Sequence, residues 1–426
     1  MTYTKPNGKR RVVVTGGGML TALGRDWPTA FAKLQSGKNC IKYMSDWERY
    51  EKMNTRLACP YEEALPSYPR KKIRGMGRVA LLSLVSTEDA LKMAGLLKDD
   101  GDVIDELKSG RTGIAYGTCM GSMDAIMDIA DMMRTGDTSK LDSQTYIKSM
   151  PQTNACNLSV YYQIRGRIIV TDTACTSGSQ AIGYAYEAIE DGRAEIMIAG
   201  GAEELSPPDA AIFDTLGATS ILNKTPEATP KPFDKDRDGL VIGEGAGTLI
   251  LEDMEHAVKR GAKMYAEVAG FATNADGTHI TSPNAATQAL ALSMALKDAG
   301  VDESKIAYIN AHGTATSHGD ISESQAVYSV FNRAVPISST KSFIGHTLGA
   351  CGCVEAWLTI NMMNEGWFHP NCNLVNDDPE CAPLDYIKGA GREISCDCVM
   401  SNNFAFGGVN TSLVFKKIEG LKAPLK

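Results

Sequence analysis

Along this chain, short apolar runs that stop at glycines alternate with longer segments in which apolar residues return every three or four positions. Arg11-Val12-Val13-Val14-Thr15, Arg167-Ile168-Ile169-Val170 and Glu195-Ile196-Met197-Ile198-Ala199 read as buried strands. Residues 111–117 and 306–310 read as further short strands, and a last strand pair surrounds residues 399–410. Residues 179–190 place Ala181, Ala185, Ala188 and Ile189 on one side, with Gly192 just past the end, which predicts a helix. Ala289, Leu292, Leu296 and Ala299 mark a second helical face, stopped by Gly300. Another apolar helical stretch runs through Trp357 and Ile360. The alternation predicts an α/β fold, and its similar order in both halves predicts two related βαβ-rich units, residues 1–260 and 261–426.

Several local signals refine that outline. Gly16-Gly17-Gly18 follow the first strand, but Thr21 stands where a dinucleotide loop needs its third glycine. No acidic residue follows at the expected distance, so a tight turn is expected there and not a nucleotide site. Residues 226–239 are rich in Pro, Asp and Lys and read as a surface loop. They lead into a glycine-rich stretch, residues 240–247, suited to close packing near a site.

A chain of 426 residues with 43% hydrophobic and 22% charged residues can bury a large core. Its net charge of -8 argues against general nucleic-acid binding. A local basic cluster remains: Arg70, Lys71, Lys72, Arg74 and Arg78 occur together with no acidic residue between them. It reads either as a solvated face or as a dock for an acidic partner. The N-terminus is polar, and no apolar run approaches the roughly 20 residues that span a bilayer. Eleven cysteines without a signal peptide suit a reducing cytoplasm. Cys351-Gly-Cys353 and Cys396-Asp-Cys398 lack both the usual zinc spacing and neighbouring histidines, so zinc is not expected.

The candidate chemistry centres on Cys175. It sits at a strand-to-helix turn among the small residues Ala174, Gly178 and Ser179. A helix N-terminus favours a thiolate over a thiol, which would make Cys175 a nucleophile. A buried structural cysteine is the alternative, and this stretch alone leaves both open. Two of the six histidines, His312 and His346, lie in Gly/Thr-rich turns near strands. With a cysteine at a helix start they point to nucleophilic thioester chemistry, provided that they converge in space.

Four motifs in order carry a resemblance: Thr173-Ala174-Cys175-Thr176-Ser177-Gly178; His312-Gly313-Thr314-Ala315-Thr316 with Asp320 and Glu323; Lys341-Ser342 with Gly345-His346-Thr347-Leu348-Gly349-Ala350; and residues 402–410. The chain resembles a bacterial β-ketoacyl-acyl-carrier-protein synthase of the type I/II group, over residues 11–416. The resemblance implies a thiolase-like fold, two related halves packed as a layered α/β/α/β/α core. It implies decarboxylative Claisen condensation of an acyl-enzyme with malonyl-acyl carrier protein, in fatty-acid or polyene/polyketide elongation, by a cytoplasmic homodimer or a heterodimer with a chain-length factor. No cofactor is required.

On that resemblance Cys175 takes the acyl group, while His312 and His346 bind the malonyl carbonyl and stabilise the enolate. Lys341, paired with Glu323, orients the site, with Asp320 and Phe404 in support. The N–H groups of Cys175 and Phe406 form the oxyanion hole. Thr314, Thr316 and Thr281 bind the pantetheine arm, and Met120 lines the acyl pocket. Arg70, Lys71, Lys72 and Arg74 dock the carrier. A structural monovalent cation falls at Asn310, Glu355, Ser401 and Asn402. Where the family's gate begins with Gly this chain has Ala405, which restricts the backbone. A non-catalytic chain-length subunit is disfavoured because those relatives lose the nucleophile. A thiolase acting on coenzyme A thioesters is disfavoured because Cys396 and Cys398 lie outside its second-cysteine motif. A type III synthase is disfavoured because it has asparagine where His346 stands.

Overall fold

In the computed structural model, which describes residues 2–98 and 100–418, one mixed sheet of eleven strands is built from two halves with the same pattern. In the first half, Val12–Leu20 pairs antiparallel with Gly245–Asp253, which pairs antiparallel with Ile196–Glu203. Two parallel neighbours, Thr112–Gly117 and Ile168–Thr171, complete it. In the second half, Ala266–Ala275 pairs antiparallel with Val409–Lys416, which pairs antiparallel with Cys398–Ala405. Tyr308–Asn310 and Pro336–Ser338 follow in parallel, with Asp385–Tyr386 added at the edge. The halves join where Val12, Val13 and Val14 pair with Val268, Glu267 and Ala266. Hydrogen bonding is therefore continuous from one half to the other through that short seam, as one large mixed sheet consistent with the thiolase-like fold expected.

Two helices fill the centre between the halves. Ser177–Glu190 has all but two of its 14 residues buried, and Cys351–Glu365 all but two of its 15. They pack on each other and on strands of both halves, so their sequences are apolar nearly all round. Outer helices cover the far faces: Arg78–Met93 on the first half, Ala285–Ala299 and Ser317–Phe331 on the second. The predicted helix before Gly300 is present, and Gly300 caps it in the left-handed conformation at φ 62°.

Three expectations from the pattern fail in whole or in part, each for a physical reason. Gly16-Gly17-Gly18 do not turn but continue the first strand through a bulge. A Cβ there would meet Ala90 O at 2.4 Å, the Trp357 ring at 2.4 Å or Ser86 O at 2.1 Å, so glycine lets helices on both faces approach the backbone. Residues 226–239 are a surface loop only in part: Glu227, Lys235 and Asp236 are exposed, but Thr229, Phe233 and Asp234 are buried, and Asp234 accepts N–H bonds from Val375 and Asn376. Ile168–Thr171 is not a buried strand but the outer edge of the sheet, with Ile168 42% and Val170 40% exposed.

Candidate active site

The chain enters the site on strained backbone. Ala174, before Cys175, has φ 51°; Ala315, in the His312 turn, has φ 64°; Leu348, after His346, has φ 45°. Such values are costly for non-glycine residues and persist where surrounding structure holds them. Cys175 lies in the single turn Ala174–Thr176 that leads into Ser177–Glu190. Close backbone approach makes room for it: a Cβ on Gly178 would stand 2.9 Å from Gly349 O.

The two histidine turns converge on Cys175. One ring nitrogen of His312, one of His346 and the Cys175 Sγ all lie within 4.8 Å of one another. His346 Nε2 is 2.9 Å from Cys175 Sγ, while His346 Nδ1 accepts the Leu348 N–H at 3.2 Å. With Nδ1 accepting, a neutral ring carries its proton on Nε2, aimed at the sulfur. That leaves His346 Nε2 no free lone pair for a metal, which disfavours reading this Cys–His–His group as a resident metal centre. The rings of His312 and His346 stand edge to face at 5.2 Å. Burial first, then the Lys341 charge, holds both histidines well below the ordinary imidazole range, so both are neutral at pH 7.

Cys175 departs from the expectation of a thiolate. Burial pushes its thiol up to about 11, against the pull of Lys341 and of the N–H groups of Phe406 and Cys175 itself. The same two N–H groups therefore lie close to the sulfur.

Lys341 pairs with Glu355, Nζ to Oε1 at 2.5 Å, and not with Glu323 as expected. Glu323 instead accepts the N–H groups of His312 at 2.8 Å and Gly313 at 2.7 Å, and so shapes the His312 turn. Burial pushes Glu323 up to about 8. Asp320 takes the N–H of Phe233 at 2.7 Å and of Ala315 at 3.1 Å, with Arg237 at 3.5 Å; burial pushes it up to about 6.

A cavity of about 440 Å³ opens onto this group. Cys175, His312, His346, Thr281, Thr314, Thr316, Phe404 and Phe406 all line it. Thr314 and Thr316 share a hydroxyl–hydroxyl bond of 2.9 Å, and Phe404 lies edge-on to His312. Phe406 stacks on Phe213 at 5.1 Å, and the next residue, Gly407, donates its N–H to Ile280 O at 2.8 Å. The expected restriction at Ala405 is not felt in this arrangement. Ala405 ends an extended strand, and the left-handed positions fall on Gly407 and Gly408, at φ 87° and 72°.

Other expected residues lie outside the cavity lining. Met120 is half-buried in the segment after Thr112–Gly117. Arg70, Lys71 and Lys72 form an exposed short helix, Arg70–Ile73, followed by exposed Arg74, and Lys72 sits over the Tyr161 ring. The cation set closes only in part. Ser401 Oγ is buried without a partner, and Ser401 pairs in register with Asn310. Glu355 is already neutralised by Lys341, and the Asn402 side chain, next along the strand from Ser401, faces the other way and accepts from Ser412. Main-chain carbonyls would have to complete any cage.

Sequence reasoning missed Glu203. It lies 2% exposed at the end of Ile196–Glu203, with its carboxyl between Cys119 and Gly349. The glutamate after Gly200-Gly201-Ala202 at a strand end was the available signal.

Comparison with known proteins agrees with this geometry. The family model for the β-ketoacyl synthase N-terminal domain matches residues 9–257, and that for the C-terminal domain matches residues 265–375. The chain is 37% identical to 3-oxoacyl-acyl-carrier-protein synthase 2 of Synechocystis, covering 96% of this chain and 99% of that protein. It is 36% identical to the synthase 2 of Vibrio cholerae over 96% and 100%. The crystal structure of a β-ketoacyl synthase from Burkholderia phymatum superposes with a TM-score of 0.94 at 51% identity, covering 96% of this chain and all of that one. The ishigamide ketosynthase/chain length factor superposes with a TM-score of 0.85 at 29% identity, over 96% and 100%. With both domain models matched in order around one cysteine and two histidines, the chain belongs to the β-ketoacyl synthase family.

Proposed function

We propose that this protein is an acyltransferase that condenses an acyl group held on Cys175 with malonyl-acyl carrier protein, giving 3-oxoacyl-acyl carrier protein and CO2 in fatty-acid or polyketide-type elongation. The observation that carries this reading is the convergence of Cys175 Sγ with two neutral imidazoles on one cavity wall. Cys175 Sγ attacks the acyl thioester carbonyl, and the N–H groups of Cys175 and Phe406 take the oxyanion. The carrier thiol leaves with the proton that the sulfur gives up. The malonyl thioester oxygen then accepts from His312 and His346. Its C–C bond to the carboxylate breaks, CO2 leaves, and the electron pair forms an enolate held by the two donors. The enolate carbon attacks the acyl carbonyl, and the cysteine sulfur leaves as a thiolate that regains its proton from solvent water. Neutral imidazoles suit this step, because a cationic pair would hold the malonyl carboxylate in place.

The intact Cys175–His346 contact speaks against a non-catalytic chain-length subunit, and the second histidine speaks against a thiolase acting on coenzyme A thioesters. No cofactor enters the chemistry. A monovalent cation between Asn310 and Ser401 is proposed as structural only, supported by the unpartnered Ser401 Oγ, and melting in potassium against choline chloride tests it. The exposed apolar edge Ile168–Thr171 supports a dimer, since a bare apolar edge invites pairing; sedimentation velocity reads it. Among the described residues no helix is long and apolar enough to cross a membrane, and the eleven free cysteines support a reducing cytoplasm.

The test of function is a reaction with acyl and malonyl carriers, read by mass spectrometry of the carrier product. Removing Cys175 should abolish condensation, while Cys175→Gln should still release CO2 from malonyl carrier through the two histidines.

A further inference from the structure

The inward face of Ala285–Ala299 begins with a polar residue. Ala291, Leu292, Ala295, Leu296 and Ala299 make up the rest of its buried stripe, and Gln288 heads it at 1% exposed. Such a stripe is ordinarily apolar throughout. Gln288 Oε1 accepts the Ser322 hydroxyl of the neighbouring helix Ser317–Phe331 at 2.9 Å. That hydroxyl has no other acceptor among the described residues, so the amide oxygen belongs on that side. Nε2, the other end of the amide, donates to no group among the described residues. Gln288 lines the cavity that opens onto Cys175.

An acceptor stands on the same wall. Asp276 also lines the cavity. Its Oδ1 accepts the Asn410 side-chain N–H at 2.7 Å and the hydroxyl of Thr287, the residue before Gln288. Its Oδ2 accepts from no group among the described residues. The wall thus offers an N–H donor and a carboxylate oxygen to whatever fills the cavity. A secondary amide matches both, since its C=O accepts and its N–H donates. A hydrocarbon acyl chain has neither group, and the Asp276 carboxylate repels a malonyl carboxylate. The carrier's pantetheine arm does bring secondary amides.

We propose that Gln288 is a substrate-binding residue that donates to an amide carbonyl of the pantetheine arm, with Asp276 accepting an N–H of the same arm, so that the site selects amide-bearing thioesters. This rests on the condensing reading above. In solvent both groups bond to water. An arm that displaces the water and carries no amide strands a donor and an acceptor, and that penalty falls on the wrong substrate alone.

The test follows acylation of Cys175 in the full-length protein by intact-mass spectrometry. One acyl group, the one that Cys175 takes best from acyl carriers, is presented on three thiols: pantetheine, which has two amides, N-acetylcysteamine, which has one, and pentanethiol, which has none. The variant is Gln288→Met, close in length and without a donor, combined with Ser322→Ala, which removes the hydroxyl that would lose its acceptor. The expected result is a fall of about tenfold in the ratio of kcat/KM for the pantetheine thioester to that for the pentanethiol thioester. A like fall for N-acetylcysteamine assigns the contact to the amide nearer the thioester, and a fall confined to pantetheine assigns it to the farther one. A loosened fold slows all three thioesters alike, so a ratio unchanged within about twofold overturns the proposal. If the double variant fails to fold, Gln288→Met alone is read by the same ratio and the same two outcomes. The unsubstituted protein separates the two readings: if it takes no acyl group on Cys175 from any carrier, the condensing function fails, whereas normal acylation with an unchanged ratio in the variant fails Gln288 alone.

Discussion

At Cys175, burial opposes ionisation while Lys341 and two backbone N–H groups favour it. Burial first, and the Lys341 charge in addition, hold His312 and His346 below the ordinary range. Removing that charge should let both histidines rise in part, since burial still holds them down. They would then take up protons at a higher pH as the solution is acidified. The acid limb of malonyl decarboxylation should therefore move to higher pH in Lys341→Met/Glu355→Gln, a double change that avoids leaving Glu355 buried and unpaired. A pH–rate profile of CO2 release checks it, and an unmoved limb would contradict the role given to Lys341. The reactive residues themselves were legible in their motifs, and the structure brings Cys175, His312 and His346 together as the resemblance implied. The partner of Lys341 was not. Glu323 and Glu355 are both near enough to act on it, and only the packing of Cys351–Glu365 decides which carboxylate reaches the ammonium.

Among the elements, the turn around Phe406 is the segment where sequence and structure inform each other most. The turn between Cys398–Ala405 and Val409–Lys416 reverses at Gly407 and Gly408, the two left-handed positions. A Cβ at Gly408 would also stand 2.8 Å from the Asp276 Cβ. Gly408→Ala should thus cost roughly 1–2 kcal/mol for the left-handed backbone alone and slow acylation, whereas Ala405→Gly should change the turn little. Stopped-flow acylation and thermal melts of both variants check the order. Strand periodicity located the elements but misjudged two of them. Gly16-Gly17-Gly18 look like a turn because glycine's lack of a side chain serves reversal and close packing equally; only the nearness of Trp357, Ala90 and Ser86 tells them apart. Ile168 and Val170 look buried because an apolar edge that is open on one chain has the same residues as one inside a sheet.

For the whole molecule, the repeated pattern of two antiparallel and two parallel pairings gives each half the same frame. The central helices Ser177–Glu190 and Cys351–Glu365 then face each other, and the residues before them, Cys175 and His346, meet. That meeting could not be read from spacing, since 171 residues separate the pair. The basic cluster raises a question at this scale, because Arg70, Lys71, Lys72 and Arg74 are exposed and lie outside the cavity lining. If it docks an acidic carrier, reversing all four charges should raise KM for the carrier about tenfold, less at high salt. An unchanged KM would make it a solvated face. The central claim, that Cys175 carries the acyl group during condensation, is tested most directly by intact-mass spectrometry after incubation with a panel of acyl carriers. The account predicts one added acyl group, mapped to Cys175, absent in Cys175→Ala and discharged by malonyl carrier with release of CO2. Acylation that persists in Cys175→Ala, or an acyl group on Cys175 that malonyl carrier fails to discharge, would contradict it.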